Sequence, residues 1–297
     1  MARPARGHPR EPVTMSRLWT RLTYANYQFV AFVVVGGALA AVDAASPETA
    51  CMTRPVALYR LAVELDPDYA QGHFNLGVFA QARGDFDAAV EHYRAALAAD
   101  PLDHTPLVNL GQIYVQRGEY PAAIAALENA ARHGHDDAAV WTLLARAHRE
   151  RGEMDAAQRA AGRARRQAPR DPDVWREVAA VAHARDDWDG VEAALARVVA
   201  LDPAAADAVF GLGRVAERRG AVDEAVRLYE RAIAMDPRLV PAYGRLAVVA
   251  VERGETEAAR RWLRELLRIA PDDPTATHLL ESLGGRASAG RPAGAGR

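Results

Sequence analysis

Two short stretches of the sequence have residue types and spacing that could support chemistry. Residues 211–216 read GLGRVA, which as a string matches the glycine pattern of loops that bind dinucleotides. The second stretch is a cluster of side chains able to hold a metal ion, made of His133, His135, Asp136 and Asp137, with His104 further upstream. Imidazole and carboxylate groups are ligands that zinc uses. A nucleotide site and a metal site are therefore the first two hypotheses to weigh.

Neither stretch lies in the context that its chemistry needs. A dinucleotide loop follows a strand and opens a helix, whereas residues 211–216 have helical spacing on both sides. Two histidines lack the spacing of a known zinc set. The favoured interpretation of residues 133–137 is a polar turn in which Gly134 ends a helix, and metal binding is the less favoured one. With Cys51 as the only cysteine and no Ser/His/Asp set, we predict no catalytic residue, no cofactor and no metal.

The elements around these stretches follow a period of 34 residues. It appears in six pairs of an apolar and a small residue, at Leu76-Gly77, Leu110-Gly111, Leu144-Ala145, Val178-Ala179, Leu212-Gly213 and Leu246-Ala247. A small residue, a larger apolar residue, another small residue and a proline follow at fixed offsets, as in Ala89, Tyr93, Ala96 and Pro101. Repetition at this length is typical of a solenoid of helix pairs, in which stacked neighbours bury a core that one pair cannot bury.

Each repeated position has a physical role in such a helix pair. A small residue such as Gly77 lets the second helix cross the first closely. A glycine such as Gly84 tolerates the left-handed conformation at a helix end, and we expect the following Asp85 to cap the next helix. An Asp-Pro step, as at Asp100-Pro101, ends the second helix because the residue before proline is pushed out of the helical region.

These positions resemble the tetratricopeptide repeat family over roughly residues 68–283. The family's first aromatic position holds Trp141 and Trp175, its turn glycine recurs with Asp186 as the one substitute, and its closing proline departs only at His135. The resemblance implies an all-α fold, a right-handed superhelical solenoid of helix-turn-helix repeats. The expected elements are a degenerate repeat at 46–67, six full repeats at 70–103, 104–137, 138–171, 172–205, 206–239 and 240–273, a capping helix at 274–283 and a disordered tail at 284–297.

The N-terminal region carries a second signal. Residues 1–21 are basic and residues 22–45 are hydrophobic, with an unbroken apolar and glycine run from Phe29 to Val42. The strict run suits a signal-peptide core, whereas the stretch counted from Leu22 is long enough to cross a bilayer. We favour a single-pass membrane anchor with the repeats outside the cytoplasm, because the arginines lie on the N-terminal side. A cleaved signal, giving a periplasmic or secreted protein, and a cytoplasmic protein with this segment packed on its repeats are the alternatives.

Composition limits the kinds of partner. Net charge is −2, with 37 basic residues, all of them arginine, against 39 acidic ones. This balance argues against a general nucleic-acid binder. The abundance of alanine, glycine and arginine is typical of a GC-rich bacterial genome, and no function is inferred from it.

The resemblance implies a binding surface. In this family the first helices line a concave face on which an extended peptide or a helix of a partner protein lies. The side chains expected there are Gln71, Phe74, Val78, Gln81, Val108, Gln112, Arg146, Arg149, Arg176, Phe210 and Arg214, with Thr105, Val115, His183 and Glu217 beside them. The set predicts a groove that is apolar at one end and basic at the centre, suited to a partner with a hydrophobic anchor and acidic residues nearby. The carboxylate clamp of chaperone-binding relatives is not expected, because Phe74 and Val108 occupy its basic positions.

Three functional hypotheses follow. The first is a non-enzymatic scaffold, membrane-anchored or exported, that holds segments of partner proteins and assists complex assembly. The second is a cytosolic adaptor or regulator. The third is an auxiliary subunit of an envelope enzyme or of a cytochrome-maturation complex.

Overall fold

The computed structural model describes residues 47–289, and every regular element in this range is an α-helix. Its fourteen helices are α1 (Pro47–Leu65), α2 (Ala70–Ala82), α3 (Phe86–Ala99), α4 (Thr105–Gln116), α5 (Tyr120–Arg132), α6 (Ala138–Glu150), α7 (Met154–Gln167), α8 (Pro172–Ala184), α9 (Trp188–Leu201), α10 (Ala206–Arg218), α11 (Val222–Met235), α12 (Val240–Glu252), α13 (Thr256–Ile269) and α14 (Pro274–Ala289). From α2 to α13 they follow one another as helix-turn-helix pairs. The predicted all-α fold of paired repeats is confirmed.

The chain divides into two compact units, and the boundary falls within α4. Unit 1 extends to Asn109 and unit 2 starts at Leu110. Within unit 1, α2 packs mainly on α3 and also on α1. Within unit 2, each first helix from α6 to α12 packs on the second helix of its own pair and on the second helix of the pair before it. Each first helix from α6 to α12 is therefore held between two second helices.

The turn inside each pair has a left-handed residue at the predicted glycine position. Five glycines of this position have φ between +74° and +78°, namely Gly84, Gly118, Gly152, Gly220 and Gly254. Asp186 takes the same place with φ of +60°. Its carboxylate accepts a hydrogen bond from Trp188 Nε1 at 2.6 Å. Aspartate tolerates this conformation better than most residues, which explains why it can substitute here.

The predicted caps after these turns occur only where the residue is aspartate. Asp85 accepts from Ala88 N at 3.2 Å, and Asp187 accepts from Gly190 N at 2.9 Å. Glu119, Glu153 and Glu255 occupy the same position and make no such bond. The short aspartate side chain reaches the free amides of the first turn, whereas the glutamate side chain is one methylene longer.

The close crossing of paired helices depends on glycine in three of the repeats, and at the second of them a Cβ atom added to Gly111 would lie 2.4 Å from the buried Leu127 side chain. A Cβ atom added to Gly77 would lie 2.7 Å from the Tyr93 ring, and one added to Gly213 would lie 2.6 Å from the Tyr229 ring. Both tyrosines are fully buried. The prediction that small residues allow the second helix to approach is confirmed at these positions.

A ladder of ion pairs joins successive repeats of unit 2 along one edge. Each pair links an aspartate in the first turn of a second helix to an arginine 30 residues later, at the end of the next first helix. The pairs are Asp155–Arg185 at 3.0 Å, Asp189–Arg219 at 2.6 Å and Asp223–Arg253 at 2.6 Å. The aspartates are highly exposed, so solvent screens these pairs and each contributes little to stability. Sequence analysis missed this ladder, although all six residues repeat with the 34-residue period.

The first and last helices lie at the two ends of the described range. Helix α1 begins at Pro47, inside the stretch 46–67 expected to form a degenerate repeat, and proline is favoured in a first helical turn. Helix α14 begins at Pro274, as expected for the capping helix, and continues to Ala289, six residues beyond the expected end at 283. The predicted hydrophobic segment, residues 22–45, lies outside the described residues. Within residues 47–289, no helix combines the length and the hydrophobicity that a membrane span needs.

Candidate functional site

The two stretches singled out for chemistry have structural roles. Residues 211–216 lie inside α10, so they form no loop after a strand. In the histidine-rich stretch, Asp137 caps α6 by accepting from Val140 N at 2.9 Å. Asp136 accepts hydrogen bonds from Trp141 Nε1 and Arg163 Nη2, and these bonds lower the pKa of its carboxyl group. Among the described residues, no group of three or more His, Cys, Asp or Glu side chains is placed to hold a metal ion.

In unit 1, the expected binding residues are partly engaged in packing. The Phe74 ring lies 5.8 Å from the Tyr93 ring, between centroids, and Tyr93 Oη donates to Gln81 Oε1 at 2.8 Å. Gln71 and Val78 are exposed, and Val108 is half-buried. The apolar character expected at this end therefore comes from residues that also hold α2 against α3.

In unit 2, two of the expected arginines meet on one buried carboxylate. Arg146 Nε donates to Glu177 Oε2 at 3.2 Å, and Arg149 Nε donates to Glu177 Oε1 at 3.0 Å. Glu177 is only 3% exposed, and it is the sole buried polar or charged residue in the described part of the chain. Both oxygens of this buried carboxylate are paired with an arginine, which offsets the cost of taking the group out of water.

A third expected arginine is surrounded by aspartates. Arg176 bonds to Asp173 at 2.8 Å, to Asp207 at 2.9 Å and to Asp202 at 3.5 Å. The bond to Asp207 is the main reason that the pKa of the Arg176 guanidinium is raised. The centre of the predicted groove is therefore not a free basic surface: Arg146, Arg149 and Arg176 are all neutralised by acidic neighbours, which the sequence-based prediction did not include.

We call the contact between Arg149 and Glu177 the Glu177 junction. A second junction in unit 2 has the opposite charges at the equivalent repeat positions. Arg245 Nε donates to Glu217 Oε2 at 3.1 Å, with a further bond from Arg245 Nη2 to Oε1. Tyr229 Oη donates to the same carboxylate at 2.5 Å. The partners are 28 residues apart in both Arg149–Glu177 and Glu217–Arg245. Two periods along the chain, arginine and glutamate have exchanged places.

Two hollows open along the first helices of unit 2. The Gly211 hollow has a volume of about 230 Å³ and is lined by Arg176, Ala179, Ala180, His183, Trp188, Val191, Leu195, Asp207, Gly211 and Arg214. The Gly244 hollow has a volume of about 1060 Å³ and includes Phe210, Arg214, Glu217, Val240, Gly244, Arg245, Val248 and Leu279. Trp188 and Arg214 line both hollows, so we describe them together as the first-helix groove.

The groove brings together only part of the expected set. Arg176, Phe210 and Arg214 line it, as do the accompanying His183 and Glu217. Arg146 and Arg149 lie at the Glu177 junction instead. Gln112 is exposed on α4 and lines neither hollow, and Val115 is buried.

Several groove residues were missed from the sequence. Trp188 and Leu195 belong to the second helix α9, whereas the family resemblance places the binding surface on first helices. Gly244 and Val248 belong to the sixth repeat, and the predicted set ends in the fifth. Arg245 could have been found, because it lies two periods after Glu177 with the opposite charge.

The fold and the groove define a helical-repeat protein of the kind that binds other proteins. Tetratricopeptide repeat profiles match residues 80–147, 115–181 and 216–283, which together cover more than half of the chain, and a second profile of the same description matches residues 187–240. The chain belongs to the tetratricopeptide repeat family. Members of this family are protein–protein interaction scaffolds that bind protein or peptide partners and typically have no catalytic activity.

Solved structures agree with this assignment. The chain is similar to the Cut9–Hcn1 hetero-tetramer of the APC/C, with TM-score 0.63 and 18% identity over 78% of this chain, but it spans only 46% of that chain. It is similar to MamA, with TM-score 0.51 and 25% identity over 57% of this chain and 92% of that one. YrrB, described as a tetratricopeptide protein with an unusual peptide-binding site, has TM-score 0.52 and 21% identity over 62% of this chain and 95% of its own. No curated protein matches the sequence.

Proposed function

We propose that this protein is a non-enzymatic scaffold that holds an extended segment or a helix of a partner protein in the first-helix groove and thereby assists the assembly of a complex. The observation that carries the proposal is the groove itself, which runs along α8, α10, α12 and α14 of unit 2. The likeness to YrrB, a protein described as having a peptide-binding site, supports it.

The groove has the surface that a bound segment needs. Phe210, Val248 and Leu279 give the Gly244 hollow an apolar lining, and charged groups of Glu217 and Arg245 stand at its side. A volume of about 1060 Å³ lies just above the range, roughly 300–1,000 Å³, of pockets that hold drug-sized ligands, which leaves room for a peptide segment. Apolar contacts would supply affinity, and the few polar groups would fix the orientation of the bound segment.

The charged groups of the groove support binding rather than catalysis. Glu217 accepts hydrogen bonds from Arg245 and Tyr229, and Asp207 accepts from Arg176. A general acid or base needs a proton that it can exchange with a substrate. Carboxylates whose oxygens already accept hydrogen bonds from Arg176, Arg245 and Tyr229 are poorly placed to exchange a proton with a substrate.

The groove can be tested by filling it. A Cβ atom at Gly244 would have only ordinary contact, 3.7 Å from Leu266, so a side chain can project there without strain. We expect Gly244→Phe to abolish binding of peptides selected from a displayed library of random 12-residue sequences. Ala234→Phe, on the exposed face of α11, is the matched control and should leave binding intact. If no peptide is enriched, or if both variants bind equally well, the groove is not the binding site.

We further propose that residues 22–45 anchor the protein in a membrane, with the repeats on the side away from the cytoplasm. The hydrophobic run and the arginines that precede it support this orientation. A topology reporter fused after Thr53 should be active only outside the cytoplasm. A cytoplasmic readout would exclude the anchored and exported forms and would favour a cytosolic adaptor.

A further inference from the structure

The Gly211 hollow occupies a position where the neighbouring repeats have an ion pair. The pair Arg149–Glu177 is followed one period later by His183 and Gly211, and two periods later by Glu217–Arg245. Glycine has no side chain to pair with, and Leu195 Cδ1 lies 2.6 Å from the place that a Cβ atom of residue 211 would take. The middle position therefore has an apolar contact where its two counterparts have an ion pair, and the Gly211 hollow lies beside that contact.

The floor and wall of the Gly211 hollow are apolar. Ala179, Ala180 and Leu195 line it from α8 and α9. Trp188 stands at the side, with the His183 ring edge-on to it at 5.1 Å between centroids. A volume of about 230 Å³ is below the range of pockets for drug-sized ligands, roughly 300–1,000 Å³. The hollow therefore suits one large apolar side chain rather than a whole cofactor.

Arg214, at the edge of this hollow, has no acidic partner in the part of the chain that the structure describes. It lies two periods after Arg146, whose partner is Glu177 at a separation of 31 residues. The residue 31 positions after Arg214 is Arg245, so the expected acid is replaced by a second base. Glu217, one turn further along α10, is already bound to Arg245 and Tyr229.

The other charged groups near the hollow are committed. Asp207 is held by Arg176, which also bonds to Asp173 and Asp202. Arg218 lies 3.7 Å from Asp186 and stacks over the Trp188 ring. Arg214 is exposed and therefore able to bind an anion supplied from outside.

We propose that the Gly211 hollow and Arg214 form one specificity subsite, which takes an apolar side chain of the partner segment together with a carboxylate of an adjacent Asp or Glu. The subsite rests on the proposed function, because its ligand is a segment already lying in the groove. The apolar side chain fills the Gly211 hollow beside Leu195. The carboxylate supplies the acid that Arg214 lacks, through a charge-assisted hydrogen bond.

The charge part of the subsite can be tested by reversing Arg214. From a displayed library of random 12-residue peptides, the wild-type protein should enrich sequences with an apolar residue next to Asp or Glu. Arg214→Glu should weaken binding of a synthetic enriched peptide by about tenfold or more and should shift enrichment towards Lys or Arg. Arg227→Glu, on the exposed face of α11 in the same repeat, makes the same charge change outside the groove and should alter neither.

The apolar part can be tested by filling the hollow. Ala180→Phe should remove the preference for a large apolar residue, while Ala196→Phe, on the exposed face of α9, should leave it unchanged. Suppose that peptide binding is lost in Gly244→Phe but that Arg214→Glu and Ala180→Phe select peptides with the same sequence preference as the wild type. That result would overturn the subsite and leave the proposed function intact. Failure of the wild-type protein to enrich any peptide would overturn both.

Discussion

Helices α2 and α3 of unit 1 and helices α10 and α11 of unit 2 are built on the same residues, four periods apart. Phe74 and Phe210 stack on Tyr93 and Tyr229 with centroids 5.8 and 5.4 Å apart. Each tyrosine ring packs against a glycine of the first helix, and each hydroxyl donates a hydrogen bond to the residue twelve positions earlier in the chain. That acceptor is a neutral amide in unit 1 and a carboxylate in unit 2.

The difference shows which part of a repeat is free to vary. The glycine, phenylalanine and tyrosine positions are fixed by the distance between the crossing helices. The acceptor position only has to offer an oxygen, so it can take Gln81 or Glu217. A glutamate at the acceptor position carries a charge, and in unit 2 that charge is paired with Arg245, whereas the corresponding residue in unit 1 is Asn109. A change of the acceptor residue is therefore accompanied by a change in the next repeat.

The largest loss of stability is expected at the crossing glycine, which the α2–α3 and α10–α11 pairs share. Gly77→Leu and Gly213→Leu should each destabilise their helix pair by about 3 kcal/mol, because the new side chain overlaps a buried tyrosine ring. Hydrogen exchange of the amides of both helix pairs would measure it. Gly244→Leu is the control, because that site has room, and it should cost far less. A similar loss in all three variants would contradict the close-crossing explanation.

Substitution of the residue that accepts the tyrosine hydrogen bond should affect the stability of the α2–α3 and α10–α11 pairs differently. Glu217→Gln converts the α10–α11 acceptor to that of unit 1, and should cost about 1.5 kcal/mol because Arg245 loses its carboxylate. Arg245 is partly exposed, which reduces the cost relative to a buried pair. Gln81→Glu should not raise the stability of unit 1, because the residue that corresponds to Arg245 there is Asn109, which has no charge to pair with the new carboxylate. Urea unfolding followed by tryptophan fluorescence, which reports on Trp141, Trp175, Trp188 and Trp262 of unit 2, measures the first variant, and hydrogen exchange measures the second.

Removing the tyrosine hydroxyl tests the same difference from the donor side. Tyr229→Phe should cost about 1 kcal/mol, and Tyr93→Phe about half of that, since hydrogen bonds to charged acceptors are the stronger ones. Burial raises the pKa of Tyr93 to about 12, and burial together with the bond to Glu217 raises the pKa of Tyr229 still further. Equal costs for the two variants would show that the charge on Glu217 adds nothing to this bond.

The smallest effect is a dependence on pH that only the unit 1 pair should have. His73 Nδ1 lies 3.2 Å from His92 Nδ1, and burial and the nearby His73 lower the pKa of His92. The unfolded chain then binds more protons than the folded one below about pH 6.5. Stability of α2–α3 is therefore full above that pH and falls as the pH drops below it. The α10–α11 pair has Val209 and Leu228 at these positions and should show no such change in amide exchange.

The fold could be predicted because its determinants are local and repeated. Turn residues such as Gly84 and crossing residues such as Gly77 act within one helix pair, so each copy carries the same signal. The ion pairs were harder to predict because they join different repeats and their members change identity. Glu177 and Arg245 occupy equivalent positions with opposite charge, and only the structure shows that each forms an ion pair with the residue 28 positions before it. Trp188 was missed because it reaches the groove from a second helix.

The alternation of charge at the junctions also has a consequence for how a gene of this kind can change. Tandem repeats lose copies by recombination between similar segments, and a deletion of whole periods preserves helical register. Loss of residues 172–239 would remove Glu177 and Glu217 and place Arg245 opposite Arg146 and Arg149. Loss of 172–205 alone would leave Arg149 opposite Gly211. The junctions thus make the order of the repeats part of what the sequence must preserve, because a shortened array would lose the ion pairs that now join its repeats.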